Sequence, residues 1–148
     1  MRHFRILTVL VLYMVSQVGF AQDVRTLETK IADLLVQMPV NDPEHRDRLA
    51  EETYDLGEEG LVKICSLVVP PGKGDDTQAR FAIESLSKYL SGDVPSGKSE
   101  KLEKVCIASA TASSTQDVQA FFMSQLQWIG STAAIDALAP YLSDDFLC

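Results

Sequence analysis

Residues 115–142, TQDVQAFFMSQLQWIGSTAAIDALAPYL, contain the clearest helical pattern of the chain. Before Gly130 the apolar side chains recur every three or four residues, which places them on one face of a helix. These side chains are Val118, Phe121, Phe122, Leu126 and Ile129. The same spacing returns after the glycine, at Ile135, Leu138 and Leu142. Because glycine commonly ends a helix, the stretch predicts two helices joined by a turn at Gly130.

Helical spacing also extends from this stretch back toward the N-terminus. It predicts further helices at about 23–38, 42–56, 59–69, 75–91 and 100–113. Asp42 can cap the second of these, with Pro43 in the first turn, where its missing N–H is not needed. The loop at 92–99, GDVPSGKS, is rich in turn-forming residues. Since no stretch alternates convincingly with period two, the sequence predicts an all-α fold.

The first 21 residues have the three-part layout of a secretory signal peptide. Arg2 and Arg5 precede an apolar run at 6–15, and small residues at 19–21 precede the predicted cut between Ala21 and Gln22. An apolar run of about ten residues is too short for a membrane-spanning helix, which needs roughly 20. We therefore expect an exported protein, periplasmic or extracellular, that keeps no transmembrane anchor.

The charge of the mature chain excludes several classes of partner and chemistry. The 148 residues hold 13 basic and 21 acidic side chains, and losing Arg2 and Arg5 leaves a net charge of −10. Nucleic acid is a poor partner for such a chain, because binding it depends on Lys and Arg contacts to phosphate. His45 becomes the single histidine, which excludes histidine-rich metal sites. We predict no metal, no cofactor and no catalytic residue.

The predicted helices also recur in pairs. Gly57 and Gly130 each follow an apolar residue and precede another apolar helix, in units of roughly 30–40 residues typical of solenoid arrays. Within residues 125–144 the segments QLQWIG, AIDAL and LSD resemble the end of one HEAT repeat helix, its turn and the next helix. This chain is therefore similar to HEAT-repeat proteins over most of its mature length.

Two further segments add to the HEAT resemblance. Residues 76–86, DTQARFAIESL, resemble a first HEAT helix, with Asp76 and Arg80 at the usual places, and 56–61, LGEEGL, resembles an inter-helix turn. The resemblance implies a right-handed α-α superhelix of stacked helix pairs. We interpret residues 22–148 as one such domain, with a capping helix followed by three pairs: 23–38, then 42–69, 75–113 and 115–142.

The overall pattern resembles the N-terminal HEAT region of secreted bacterial proteins. Some of those continue into a jelly-roll-like domain of the keto-disaccharide or glycan hydrolase type, which implies that any catalytic part would lie outside this chain. The last residues, 144–148 (DDFLC), predict the opening of another repeat. A terminal solenoid repeat usually has a polar outer face, so we expect the native polypeptide to continue.

Three cysteines and several acid pairs are the candidates for chemistry. Cys65 and Cys106 lie on the second helices of adjacent pairs, where they would either pack in the core or form a disulfide in an oxidising compartment. A reactive thiol is the remaining alternative, and Cys148 is the odd cysteine. The adjacent acids could serve glycoside hydrolysis, but their places at helix starts favour capping. They are Glu51-Glu52, Glu58-Glu59, Asp75-Asp76 and Asp144-Asp145.

One aromatic residue points to a binding surface. Trp128 lies beside Phe121 and Gln125 on a helical wheel, at the rim of the apolar face. Tryptophan at such an edge often dominates a binding surface, and its ring can stack on a sugar. The alternative is that Trp128 packs against the preceding repeat. His45, near a helix start, is interpreted as a solvent-exposed side chain.

These observations predict a secreted HEAT-like module that binds or scaffolds a protein or glycan-related partner. One alternative is the non-catalytic N-terminal region of a carbohydrate-active hydrolase. A second is a free-standing acidic helical protein, such as an inhibitor, with a disulfide between two of its cysteines. A stand-alone enzyme is disfavoured, because no pairing of nucleophile and base is visible.

Overall fold

The computed structural model describes residues 25–92 and 97–141. Within these ranges the chain forms seven α-helices and one short 3-10 turn, with no β-strand. The all-α prediction is therefore confirmed for the described residues. The predicted leader at 1–21 and the C-terminal segment 142–148, which includes Cys148, lie outside them.

The helices follow the order expected from the sequence. They are α1 (Leu27–Leu35), α2 (Pro43–Asp55), α3 (Gly57–Ser66), α4 (Thr77–Leu90), α5 (Ser99–Ala112), α6 (Gln116–Ile129) and α7 (Thr132–Leu138). In chain order, α2 and α3, α4 and α5, and α6 and α7 correspond to the segments predicted as pairs, but the most extensive helix contact is that of α5 with α6, which the prediction assigned to different pairs. The predicted capping helix, 23–38, corresponds to the shorter α1.

Local chemistry explains where these helices begin and turn. Asp42 caps α2 as predicted, because its Oδ2 accepts a hydrogen bond of 2.8 Å from the backbone N–H of His45. Pro43 is the first residue of α2, as predicted. At the start of α3, Gly57 has a φ of 75°, a left-handed conformation that glycine adopts without strain.

The last α-helix is shorter than predicted. The seventh helix was expected over 132–142, but α7 ends at Leu138 and a 3-10 turn occupies Ala139–Tyr141. Pro140 explains the difference, because it has no N–H to donate to the carbonyl of Asp136 and its ring would clash there.

Helices two positions apart in the chain contact each other. One layer contains α2, α4 and α6, and the other contains α3, α5 and α7, with α1 against the first three helices that follow it. The core lies between the layers, and its most deeply buried side chains come from both. The largest apolar ones below 2% exposure are Leu49, Leu61, Ile64, Ile83, Leu86, Leu102, Cys106 and Phe122.

Across 25–92 and 97–141, every helix is too short or too polar to cross a bilayer.

Candidate functional site

Two cation–aromatic contacts show how α4 and α6 lie against each other. Near the start of both helices, the Arg80 guanidinium lies 4.6 Å from the centroid of the Phe121 ring. Near their ends, Lys88 Nζ lies 6.0 Å from the centroid of the Trp128 ring. The residue numbers rise together on the two helices, so α4 and α6 run in the same direction.

The other layer has the same arrangement. Lys104 Nζ on α5 donates a 2.9 Å hydrogen bond to Glu58 Oε1 on α3, and one to two turns further along Cys65 lies beside Ser109. Helices α3 and α5 therefore also run in parallel. Their starts lie at the same side of the molecule as the ends of α2, α4 and α6. We call this side, where the two helices of each pair are joined, the turn edge.

The structure separates the three residues predicted to form a binding rim. Trp128 is 53% exposed at the turn edge, whereas Phe121 is half-buried and makes an edge-to-face contact with Phe122. Gln125 is only 3% exposed, and its Nε2 donates to the backbone carbonyl of Phe121 at 3.0 Å. Of these three side chains, Trp128 alone is more than half exposed to solvent.

Gln125 is a buried polar residue that the helical wheel placed with the rim. Its Nε2 also donates to Ser124 Oγ at 2.9 Å, while its Oε1 has no hydrogen-bond partner among the described residues. A wheel gives the angle of a side chain around its own helix and not how far a neighbouring helix covers it. This is why Gln125 and Trp128 share a face yet differ in exposure.

A second aromatic residue at the turn edge was not anticipated. Lys101 Nζ lies 4.3 Å and Lys98 Nζ 5.6 Å from the centroid of the Tyr54 ring, near the end of α2. All three side chains are half-buried. Cation–aromatic contacts of this kind contribute about 0.5–2 kcal/mol. The contact joins residues more than 40 positions apart, so no local sequence pattern indicated it.

Cys65 and Cys106 lie on α3 and α5, the adjacent second helices expected from the sequence. Both are free thiols and buried in the structure, so the disulfide stays a prediction. Burial raises the pKa of the Cys65 thiol to about 12, although a hydrogen bond with Ser109 opposes the shift. Burial also raises the pKa of Cys106, with a smaller contribution from Cys65. Because the thiolate is the reactive form, these surroundings disfavour nucleophilic chemistry at either sulfur.

The acid pair before α4 has structural partners. Asp75 Oδ1 accepts a 3.0 Å hydrogen bond from the backbone N–H of Thr77, and the bonds from Thr77 hold the pKa of Asp75 below its usual value. Asp76 Oδ2 accepts from the backbone N–H of Val69 at 2.9 Å and from Arg80 Nε at 2.7 Å. These two carboxylates position the start of α4.

Glu103 is a buried carboxylate that the sequence interpretation missed. It is 4% exposed, and its Oε1 accepts two 2.7 Å hydrogen bonds from Ser131, one from the backbone N–H and one from the hydroxyl. The signal was present, because Glu103 precedes Cys106 and Ala110 by three and seven residues on the inward face of α5. Its contacts fix the start of α7, which is a structural role.

His45 differs from its interpretation as a solvent-exposed side chain. It is half-buried, and its Nε2 is enclosed with no hydrogen-bond partner in the part of the chain that the structure describes. The described residues also bring no group of three or more His, Cys, Asp or Glu side chains together in a way that could hold a metal ion.

Comparisons with known proteins add no family assignment. A scan against protein-family models found no match, and neither did searches of curated proteins and of solved structures.

Proposed function

We propose that this chain is an exported HEAT-like solenoid module that binds a protein partner at its turn edge. Two features of the packing support the solenoid. Alternate helices contact each other, and the helices within each layer that share side-chain contacts run in parallel. An array of this type buries its apolar faces by stacking and leaves an extended surface for a partner.

The exposed ring of Trp128 is the observation that supports binding at the turn edge. The inward residues of α6 are buried, yet this large aromatic side chain is 53% exposed. Lys88 lies over the ring and is itself held by Glu84, whose Oε1 is 2.6 Å from Lys88 Nζ. Tryptophan with a polar surround is typical of the residues that contribute most to protein interfaces.

The acidic character of the mature chain restricts the class of partner. A net charge of −10 disfavours polyanions, whereas a folded protein can meet both the Trp128 ring and the neighbouring Lys88. The proposed export places the interaction in the periplasm or outside the cell.

A pull-down titration tests the role of Trp128. The immobilised protein is incubated with increasing amounts of extract from its native cells, and captured proteins are quantified by mass spectrometry. We expect Trp128→Ala to raise the half-saturation concentration of the specific partner at least tenfold, because alanine removes the large exposed ring. Trp128→Phe should retain part of the binding.

Val36→Ala is the matched control. Val36 is 71% exposed at the end of α1, so this change also removes an exposed apolar side chain, but away from the turn edge. It should leave the titration unchanged. The proposed role of Trp128 is wrong if Trp128→Ala leaves the half-saturation of every captured protein unchanged.

A further inference from the structure

The two lysines beside Tyr54 differ from most other cations of the described residues. Seven other Lys and Arg side chains of the described residues lie within 4.0 Å of a carboxylate oxygen: Arg25, Arg46, Arg48, Lys63, Arg80, Lys88 and Lys104. Within the same described ranges, Lys98 and Lys101 have no carboxylate at that distance and contact the Tyr54 ring instead. Two half-buried ammonium groups thus lack an acidic partner among the described residues.

The spacing of the two lysines brings their charges close together. Lys98 and Lys101 are three residues apart at the start of α5, and Lys98 has helical backbone angles, so both side chains leave the same face of the helix. Both also converge on one ring. Their mutual repulsion would be relieved by an anion that contacts both groups, while the ring offers an apolar surface beside it.

The surroundings select the kind of anion. Asp55 adjoins Tyr54, and the Glu100 carboxylate turns back toward Gly97, where an added Cβ would lie 3.8 Å from Glu100 Oε1. The Glu100 carboxylate lowers the positive potential beside the two ammonium groups, which favours contact with a singly charged carboxylate over a doubly charged phosphate.

We propose that Tyr54, Lys98 and Lys101 form a binding site for a side-chain carboxylate in an acidic segment of a protein partner. The carboxylate accepts hydrogen bonds from both ammonium groups, and the methylene groups of the same segment pack on the ring. This inference extends the proposed function, because it adds a second contact on the turn edge and defines the chemistry of the partner. The site does not depend on Trp128.

An NMR titration of the isotope-labelled full chain tests the site. The probe is a tetraglutamate peptide with acetylated and amidated ends, and tetraglutamine of the same length is the neutral comparison. We expect saturable shift changes around Tyr54 and Lys101 with tetraglutamate and none with tetraglutamine. The double variant Lys98→Gln with Lys101→Gln should weaken binding at least tenfold.

Control variants separate this site from general charge effects. Lys73→Gln removes an exposed lysine elsewhere and should leave the affinity unchanged, whereas Lys101→Arg keeps the charge and should retain binding. Equal weakening by Lys73→Gln would overturn the site, and tighter binding of inorganic phosphate than of tetraglutamate would overturn its assignment to carboxylates.

One further variant distinguishes this inference from the proposed function. Trp128→Ala should leave the tetraglutamate affinity unchanged, since Trp128 is not part of the carboxylate site. Loss of partner capture by Trp128→Ala with no tetraglutamate binding would support the proposed function and overturn only this inference.

Discussion

The side chains between neighbouring helices differ in the two layers. Between α4 and α6 the contacts are long and polar or aromatic, with Arg80 on Phe121 and Lys88 on Trp128. Between α3 and α5 the ion pair of Lys104 and Glu58 lies near the helix starts, and further along small and apolar side chains line a groove of about 410 Å³. The groove is lined chiefly by Val62, Cys65, Val68, Val105, Ala108, Ser109, Ala112 and Phe122.

We propose that the two layers have different roles, one mainly structural and one in binding. We call the contact surface of α3 and α5 the α3–α5 seam, and that of α4 and α6 the α4–α6 seam; the α3–α5 seam buries Cys65 and Cys106 and so belongs to the core. Long side chains between α4 and α6 extend to the surface, where they keep a tryptophan ring and charged groups accessible. Substitutions in the two layers test this contrast.

The buried thiols of the α3–α5 seam should be almost inert. With its pKa raised from 9.0 to about 12, the Cys65 thiol at pH 8 holds about a thousandfold less thiolate than an ordinary cysteine. We expect alkylation of the folded Cys148→Ser variant to be slower than in urea by at least that factor. The rate should rise about tenfold per pH unit. Rapid labelling of the native protein, followed by mass spectrometry, would show that the seam is open.

Among the substitutions considered, removing the Phe122 ring should cause the largest loss of stability. Phe122 is 1% exposed, lines the groove and packs against Phe121. Phe122→Ala should lower the free energy of unfolding by about 3–5 kcal/mol, because it leaves a cavity in the core. Urea denaturation measures this change, and Phe122→Leu should recover much of it. A loss below 1 kcal/mol would contradict the packing.

Substituting the buried Glu103 should cause the next largest loss of stability. Glu103→Ala removes the acceptor for both hydrogen bonds of Ser131 and should lower the free energy of unfolding by about 2–3 kcal/mol. Glu103→Gln keeps one acceptor oxygen and should lose less. Both values come from urea denaturation. Hydrogen exchange should also become faster at the start of α7, and unchanged exchange there would contradict the role of Glu103.

Substituting Arg80 tests how much the contacts between α4 and α6 contribute to stability. Its side chain binds Asp76 at 2.7 Å and the carbonyl of Val69 at 3.0 Å, and it lies over Phe121. Arg80→Ala should lower the free energy of unfolding by about 1–2 kcal/mol, since the ion pair is half-buried. Arg80→Lys should retain only part of this stabilisation, because lysine cannot make the same planar contacts. Equal stability of the alanine and wild-type proteins in urea would show that these contacts do not hold the seam.

Trp128 should have the smallest effect on stability despite its size. The side chain is about half exposed, so Trp128→Ala should lower the free energy of unfolding by only about 0.5–1 kcal/mol, mainly through loss of the contact with Lys88. The same variant is expected to lose partner binding. A large loss of stability in thermal or urea unfolding would instead mean that Trp128 packs in the core.

The sequence predicted the helices better than it predicted the surface. Apolar spacing indicated the all-α class, and local chemistry indicated the Asp42 cap, because both depend on residues within a few positions of each other. The Tyr54 site and the bond from Ser131 to Glu103 join residues 28 or more positions apart, and so required the packing of the helices. Helical angle alone also grouped Gln125 with Trp128, although one is buried and the other is exposed.

Site-specific photocrosslinking in the native cells most directly tests whether the turn edge is the binding surface. A photoreactive phenylalanine analogue replaces either Trp128 at the turn edge or Val62, which is 50% exposed beside the groove. We predict one dominant protein adduct from position 128 and no specific adduct from position 62. A specific adduct from position 62 alone would contradict the proposal and place the binding surface at the α3–α5 groove.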